Sequence, residues 1–259
     1  MTLLGLTVEQ DESGDVRGWM PVTEHTISAD GMPRLGAVAM LVDALGGMRS
    51  ITASDPEWAF TADMSLHLLP SGPCDVLRAD LHVRRRGRRT LVIEADLTAD
   101  EERPAGSALL TFAVVPRPVH LVDITIEMTP GRRLMNQNSL NEVLETTYFE
   151  ELGIAASSPG VVSVDLRPVI ANTVGALHGA IHASVIDEAS TSLARALLGT
   201  EAITTDMHLA YLELGRIGPI TATASPVGDP ADGHLTASVE VRDGAGVLVS
   251  TATTQVVAQ

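Results

Sequence analysis

Apolar positions along this chain change period in an order that occurs twice. Two short stretches with β-like alternation, 6–10 and 16–22, flank the turn signal DESGD. A polar loop bearing Gly and Pro, 23–34, leads into residues 35–51, which are almost all small and apolar without alternation. That run is too long for one strand and predicts a buried helix. Longer β-like runs follow at 61–69, 75–84, 89–99 and 107–115, punctuated by PSGP and RRG. The plan then returns: strands at 153–157 and 161–167, a loop, a helix at 179–198, and strands at 203–212, 219–227, 234–242 and 246–257. Between the two plans, residues 116–136 hold Pro116, Pro118, Pro130, Gly131, Arg132 and Arg133 and read as a linker. Leu140, Val143, Leu144 and Tyr148 then sit at helical spacing, with Ser139 as N-cap and Glu142 as its capping-box partner. They predict an amphipathic packing helix over 138–153.

The recurrence extends to residues. TADMSLHLL (61–69) and TTDMHLAYL (204–212) share Thr61/Thr204, Asp63/Asp206, Met64/Met207, Leu66/Leu209 and Leu69/Leu212. LGAVAMLVDA (35–44) answers GAIHASVIDE (179–188) and aligns Asp43 with Asp187, while GRRTLVIEA (87–95) answers GHLTASVEV (233–241). So long a unit is not a solenoid repeat. Two fused copies of one small domain are expected, 1–117 and 137–259, joined by 118–136. Each copy has two strands, one buried helix and four antiparallel strands, an α+β plan in which a curved sheet wraps the helix. Pairing the open edges of two such sheets makes one long sheet.

Composition narrows the partners. The 259 residues carry a formal net charge of −16, which argues against nucleic acid and against an anionic membrane. All 17 basic residues are Arg, so lysine chemistry is excluded. Only 3% of residues are aromatic, so the core must be aliphatic. The single cysteine, Cys74, follows Ser-Gly-Pro in a turn and reads as incidental; it fits a reducing compartment. The first residues lack the basic segment and apolar run of a signal peptide, and no uninterrupted apolar stretch approaches a membrane span. A soluble cytoplasmic protein is the expectation.

Candidate chemistry gathers in NTVGALHGAIHASVID. Gly179 opens a helix, where an unpaired N–H at the positive dipole end can stabilise an oxyanion. Lacking Cβ, it lets a carbonyl approach closely. Asp187, among Val185, Ile186 and Ala189, is expected to be a desolvated and therefore stronger base or nucleophile. Asn172 either orients water or the acid, or closes an Asx-type turn. For Asp43 the plain alternative is a buried acid bonded to backbone, but its recurrence in both copies favours function. His178 and His182, one turn apart, lack a third metal ligand. Asp63 and Asp206 read equally as strand-end hydrogen bonds or site groups, and Glu188 as a solvated or interface charge.

The Asn-x6-Gly-x7-Asp spacing, with His178 just before Gly179, resembles the hotdog-fold acyl-CoA thioesterases of the phenylacetate-pathway type. TTDMHLAYL and the RGRRT turn are also typical, and the resemblance covers nearly all the chain outside the linker. It implies a tandem hotdog that hydrolyses thioesters without metal or redox cofactor. The Gly amide would polarise the carbonyl, and the acid would come from the opposite copy as base or nucleophile. Asn172, His178 and Gly179 would then face Asp43, and Asp187 would face the first copy's loop. Relatives often carry a hydroxyl one turn past the acid; Thr191 holds that place in one copy and Gly47 in the other. Arg34 and Leu35 stand where His178 and Gly179 stand, with Gly36 adjacent, so the loop opposite Asp187 is degraded and the Asp43 site is favoured.

The run 84–89 holds five arginines around Gly87. Arg84, Arg86, Arg88 and Arg89 are candidates for coenzyme A phosphates, against the plainer reading of a solvated hairpin tip. Expected partners are acyl-CoA or an acyl-carrier thioester, with further assembly of tandem chains plausible from the resemblance. Three rivals stand beside hydrolysis: a catalytically dead acyl-CoA or carrier binder, a hotdog hydratase or dehydratase with His25 near an acid, and a purely structural module.

Overall fold

A computed structural model describes residues 4–28, 31–70, 72–100, 102–118, 131–135, 144, 146–172 and 174–259. The first copy comprises β1 (Thr7–Gln10), β2 (Val16–Pro21), α1 (Leu35–Ser54), β3 (Trp58–Leu68), β4 (Val76–Arg86), β5 (Thr90–Ala99) and β6 (Arg103–Val115). After β7 (Gly131–Leu134) and α2 (Tyr148–Glu151), the second has β8 (Ala155–Ser158), β9 (Val161–Val164), α3 (Gly179–Leu198), β10 (Ala202–Tyr211), β11 (Ile220–Pro226), β12 (His234–Arg242) and β13 (Leu248–Ala258). All strands join one 13-stranded sheet, in the order β7-β1-β2-β4-β5-β6-β3-β10-β13-β12-β11-β9-β8. Its middle is the antiparallel pairing of β3 with β10, from His67↔Asp206 to Asp63↔Ala210. The expected union of two sheet edges is therefore the seam of the molecule.

The two helices lie against the sheet and against each other. α1 buries its apolar residues from Leu35 through Leu45 with no polar stripe, because sheet and α3 cover it from both sides. By length and composition it could cross a membrane, but 72% of its most apolar window is buried in protein. α3 ends where Gly199 takes a left-handed φ of 71° and donates to the Arg195 carbonyl.

One irregularity recurs. The β3–β6 ladder shifts register between Thr61 and Asp63, and the β10–β13 ladder between Thr204 and Asp206. A bulge adds a residue and re-aims side chains. Thr204, Met207 and Leu209 are all buried, and Met64 and Leu66 match the last two. The shared Thr-x-x-Met spacing is the trace of that bulge.

Two expectations change between the copies. Part of the linker is a strand: β7 pairs antiparallel with β1. The helix expected over 138–153 is, among the described residues, the single turn α2. Its capping box is Thr147 with Glu150, not the Ser139–Glu142 pair, which lies outside the described residues. Tyr148 and Phe149 are buried, so the turn forms where two large rings reach the core.

Candidate active site

Asp43 stands midway along α1, 6% exposed, and points at the start of the other copy's helix. Its Oδ2 accepts the Ala180 N–H at 3.0 Å, and Thr61 donates to Oδ1 at 3.3 Å. His178 is the N-cap of α3: its Nδ1 accepts from the same Ala180 N–H at 3.2 Å and lies 3.3 Å from Asp43 Oδ2. An accepting Nδ1 places the imidazole proton on Nε2. Burial pushes the His178 pKa down, against the opposing pull of Asp43, so the neutral ring is the resting form. Gly179 packs directly on the acid: a Cβ there would lie 2.7 Å from Asp43 Oδ2. Its N–H meets no acceptor among the described residues, while its carbonyl accepts from the Tyr211 hydroxyl at 3.0 Å.

Asp43, Asn172, His178 and Gly179 thus share one cavity of about 350 Å³ between the copies. Four of the chain's seven aromatic residues, Trp58, Phe60, Phe112 and Tyr211, line it. Asn172 closes the loop as an Asx turn, its Oδ1 accepting from Val174 and Ala176 N–H, each at 3.0 Å. Only its amide NH2 remains for the cavity. His182, also in the wall, bonds Ser250 at 2.9 Å and packs edge-on to Tyr211; burial first, and then His178, push its pKa down to about 3.

The second acid has a different environment. Asp187 Oδ2 accepts the Gly36 N–H at 3.1 Å and Thr204 donates to Oδ1 at 2.7 Å, mirroring Ala180 and Thr61. Arg34, in the position of His178, lies 3.3 Å from Asp187 and 2.8 Å from Glu188 and stacks on the Phe149 ring at 3.8 Å. Burial lowers the guanidinium's pKa, but Asp187 and Glu188 outweigh it and hold the charge. Only about 30 Å³ of space remains beside Arg34 and Leu35, enough for a water or two. Thr191 directs its hydroxyl to the Asp187 and Glu188 carbonyls and accepts from Arg34. Gly36 gives its N–H to Asp187 and packs on Ser184 of α3, so it matches Ala180 rather than Gly179. Glu188, expected to be a solvated or an interface charge, is buried at the contact between the copies, where it joins Arg34 to Arg195.

Other candidates lie elsewhere. In the arginine hairpin, Arg84 pairs with Glu94, and Arg86 bonds Glu57 and the Ala53 carbonyl at the end of α1. Arg88 and Arg89 are exposed, without a carboxylate partner among the described residues. Asp63 and Asp206 are paired across the seam with His208 at 3.3 Å and His67 at 2.7 Å. Among the described residues His25 has one ion pair, with the exposed Glu24 at 3.9 Å. No group of three metal-ligating side chains converges among the described residues. Sequence reasoning passed over Thr61 and Thr204, whose signal was identity in the repeat beside the acids. It also passed over Tyr211, which aligns with Leu68 in the first copy and so left no repeat to notice.

No protein-family model matches the chain. A curated Pseudomonas aeruginosa protein named "Putative esterase PA1618" is 31% identical over 119 residues, spanning 44% of this chain and 80% of that relative. Among solved structures, an acyl-ACP thioesterase from Bacteroides thetaiotaomicron superposes with a TM-score of 0.62 over 93% of this chain and 96% of that one, at 10% identity. A protein of unknown function with hot dog fold from Alicyclobacillus acidocaldarius gives 0.57 over 94% and 93%, at 12% identity. At such identities these two likenesses carry the fold alone: a tandem hotdog along the whole chain. The Pseudomonas relative carries the lineage, its matched stretch being about the length of one copy, and with it the chain belongs to the hotdog-fold thioesterase family.

Proposed function

We propose that the protein hydrolyses acyl-CoA thioesters at the cavity between Asp43 and the N-terminus of α3. One observation carries this reading. Of the two acids that face the opposite copy's helix, Asp43 alone opens on a ligand-sized cavity beside an unengaged helix N-terminal amide. The thioester carbonyl accepts from the Gly179 N–H, where the helix dipole adds to the stabilisation of a developing oxyanion. Asp43 works as general base: it takes a proton from water as the oxygen adds to the carbonyl carbon. The tetrahedral intermediate then expels the thiolate, which takes that proton from Asp43 as free thiol; the carboxylic acid formed gives its remaining proton to solvent and leaves as carboxylate. Direct attack by Asp43, which releases the thiolate and forms a mixed anhydride, is the other route; label found in the aspartate after a single turnover in 18O-labelled water, from water attacking the aspartyl carbonyl, identifies it. Thr61 and the Ala180 N–H hold the carboxylate in place. Asn172 offers its amide NH2 to the water or the substrate, and Arg88 and Arg89 offer the phosphates of coenzyme A unpaired guanidinium groups.

Arg34 occupies the space by Asp187, so that pseudo-site is a structural ion cluster in this reading. Thiol release from aromatic and aliphatic acyl-CoAs tests the assignment. Asp43→Asn is expected to lower kcat roughly 10²–10⁴-fold, and Asp187→Asn to keep turnover in the folded protein. Loss with Asp187→Asn alone would reverse the assignment. Binding of CoA with no turnover of any thioester would leave a binding protein.

A further inference from the structure

α1 carries two adjacent glycines at its centre, Gly46 and Gly47, in a position where glycine is among the poorest helix formers. Packing explains the first. A Cβ on Gly46 would lie 2.9 Å from Leu110 Cδ2 and 3.4 Å from Phe112 Cζ, so the helix presses on β6 closely enough that a side chain there would displace Leu110. The second has no such reason: a Cβ on Gly47 would meet nothing within 4 Å. Gly47 instead lines the cavity, one helical turn past Asp43 and on the same face. Met48, Ile51, Trp58, Phe60 and Phe112 continue that wall. In the other copy Thr191 holds the equivalent place and is 2% exposed, in a site with almost no free space.

We infer that Gly47 determines which acyl groups the site accepts. The missing side chain leaves a recess beside the reacting carbonyl, and the recess, walled mainly by apolar and aromatic side chains, lodges the bulk of the acyl group next to the thioester. The inference rests on the thioesterase reading. Filling the recess shifts selectivity toward small acyl groups without disturbing the fold, since nothing needs the glycine for packing.

The test compares wild type with Gly47→Ala, Gly47→Thr and Gly47→Val on acetyl-, octanoyl- and benzoyl-CoA, alongside Tm. The kcat/KM ratio of each bulky substrate to acetyl-CoA is expected to fall in step with side-chain size, ten-fold or more for Val. Gly47→Ala is expected to raise Tm, as alanine is the better helix former. An unchanged ratio in the variants of an active wild type, or an equal loss on all three substrates, overturns the inference and leaves the thioesterase reading standing. A Tm that falls with Gly47→Ala overturns the claim that the glycine is free of packing. A wild type inactive on every thioester overturns both readings.

Discussion

At the scale of single residues, the two copies differ in how each carboxylate is neutralised. Asp43 is held by neutral donors, Thr61 and the Ala180 N–H, beside a neutral His178, whereas Asp187 is held by Thr204, the Gly36 N–H and a guanidinium. A carboxylate bound only by neutral donors keeps its charge for chemistry; one paired with Arg is spent on structure. The buried histidines of the open site also tie stability to pH. His182 has a folded pKa pushed down to about 3, below its ordinary value, so the unfolded chain binds the proton more readily than the folded one. Stability from this group is full above the unfolded pKa, about 6.5, and is lost as pH falls toward the folded value. The urea midpoint should therefore drop between pH 7 and pH 5. His182→Asn, which keeps a partner for Ser250, should show a smaller drop; an equal drop in both proteins would exclude His182 as a source.

At the scale of elements, each helix N-terminus is capped by the other copy's acid. The second amide of α3 donates to Asp43 and the second amide of α1 to Asp187, both at about 3 Å. The recurrent bulge after each helix supplies the threonine that completes the clasp. Around Asp187 the clasp became an ion cluster. Arg34 is the shared partner of Asp187 and Glu188, and its removal leaves the buried Asp187 without its cation and Glu188 with Arg195 alone. Arg34→Ala should then cost about 3–5 kcal/mol of stability in urea titrations, while turnover at the Asp43 site persists in the remaining folded fraction. A loss within 1 kcal/mol would mean that the cluster is no structural element. Helix boundaries were legible where caps and periodicity agreed, as for α3, found over 179–198. Of the helix expected over 138–153 the described part is one turn, capped by Thr147 and Glu150 where Tyr148 and Phe149 are buried, while Ser139 and Glu142 lie outside the described residues.

At the scale of the whole molecule, the β3–β10 seam makes one sheet of two and sets the helices face to face. His67–Asp206 and His208–Asp63 decorate it, but both histidines are more than half exposed, and water screens such pairs. The double variant His67→Ala/His208→Ala should lose less than about 1 kcal/mol, and less again in high salt. A larger, salt-insensitive loss would assign the seam's strength to those side chains rather than to the backbone ladder and helix packing.

By itself the chain determined the duplication, the order of strands and helices, the joined sheet and the motif from Asn172 to Asp187, because these are written in local period and in residues repeated at equal offsets. The asymmetry of the sites was visible as a loop that differs, Arg34 for His178 and Leu35 for Gly179, and as Gly47 for Thr191. Tertiary structure alone decided that Arg34 fills its site, that the Gly36 N–H goes to Asp187, and that Gly47 borders open space. Each of these depends on where a side chain lies relative to another copy more than 100 residues away in sequence, and one-dimensional spacing carries no record of which volume packing fills and which it leaves empty.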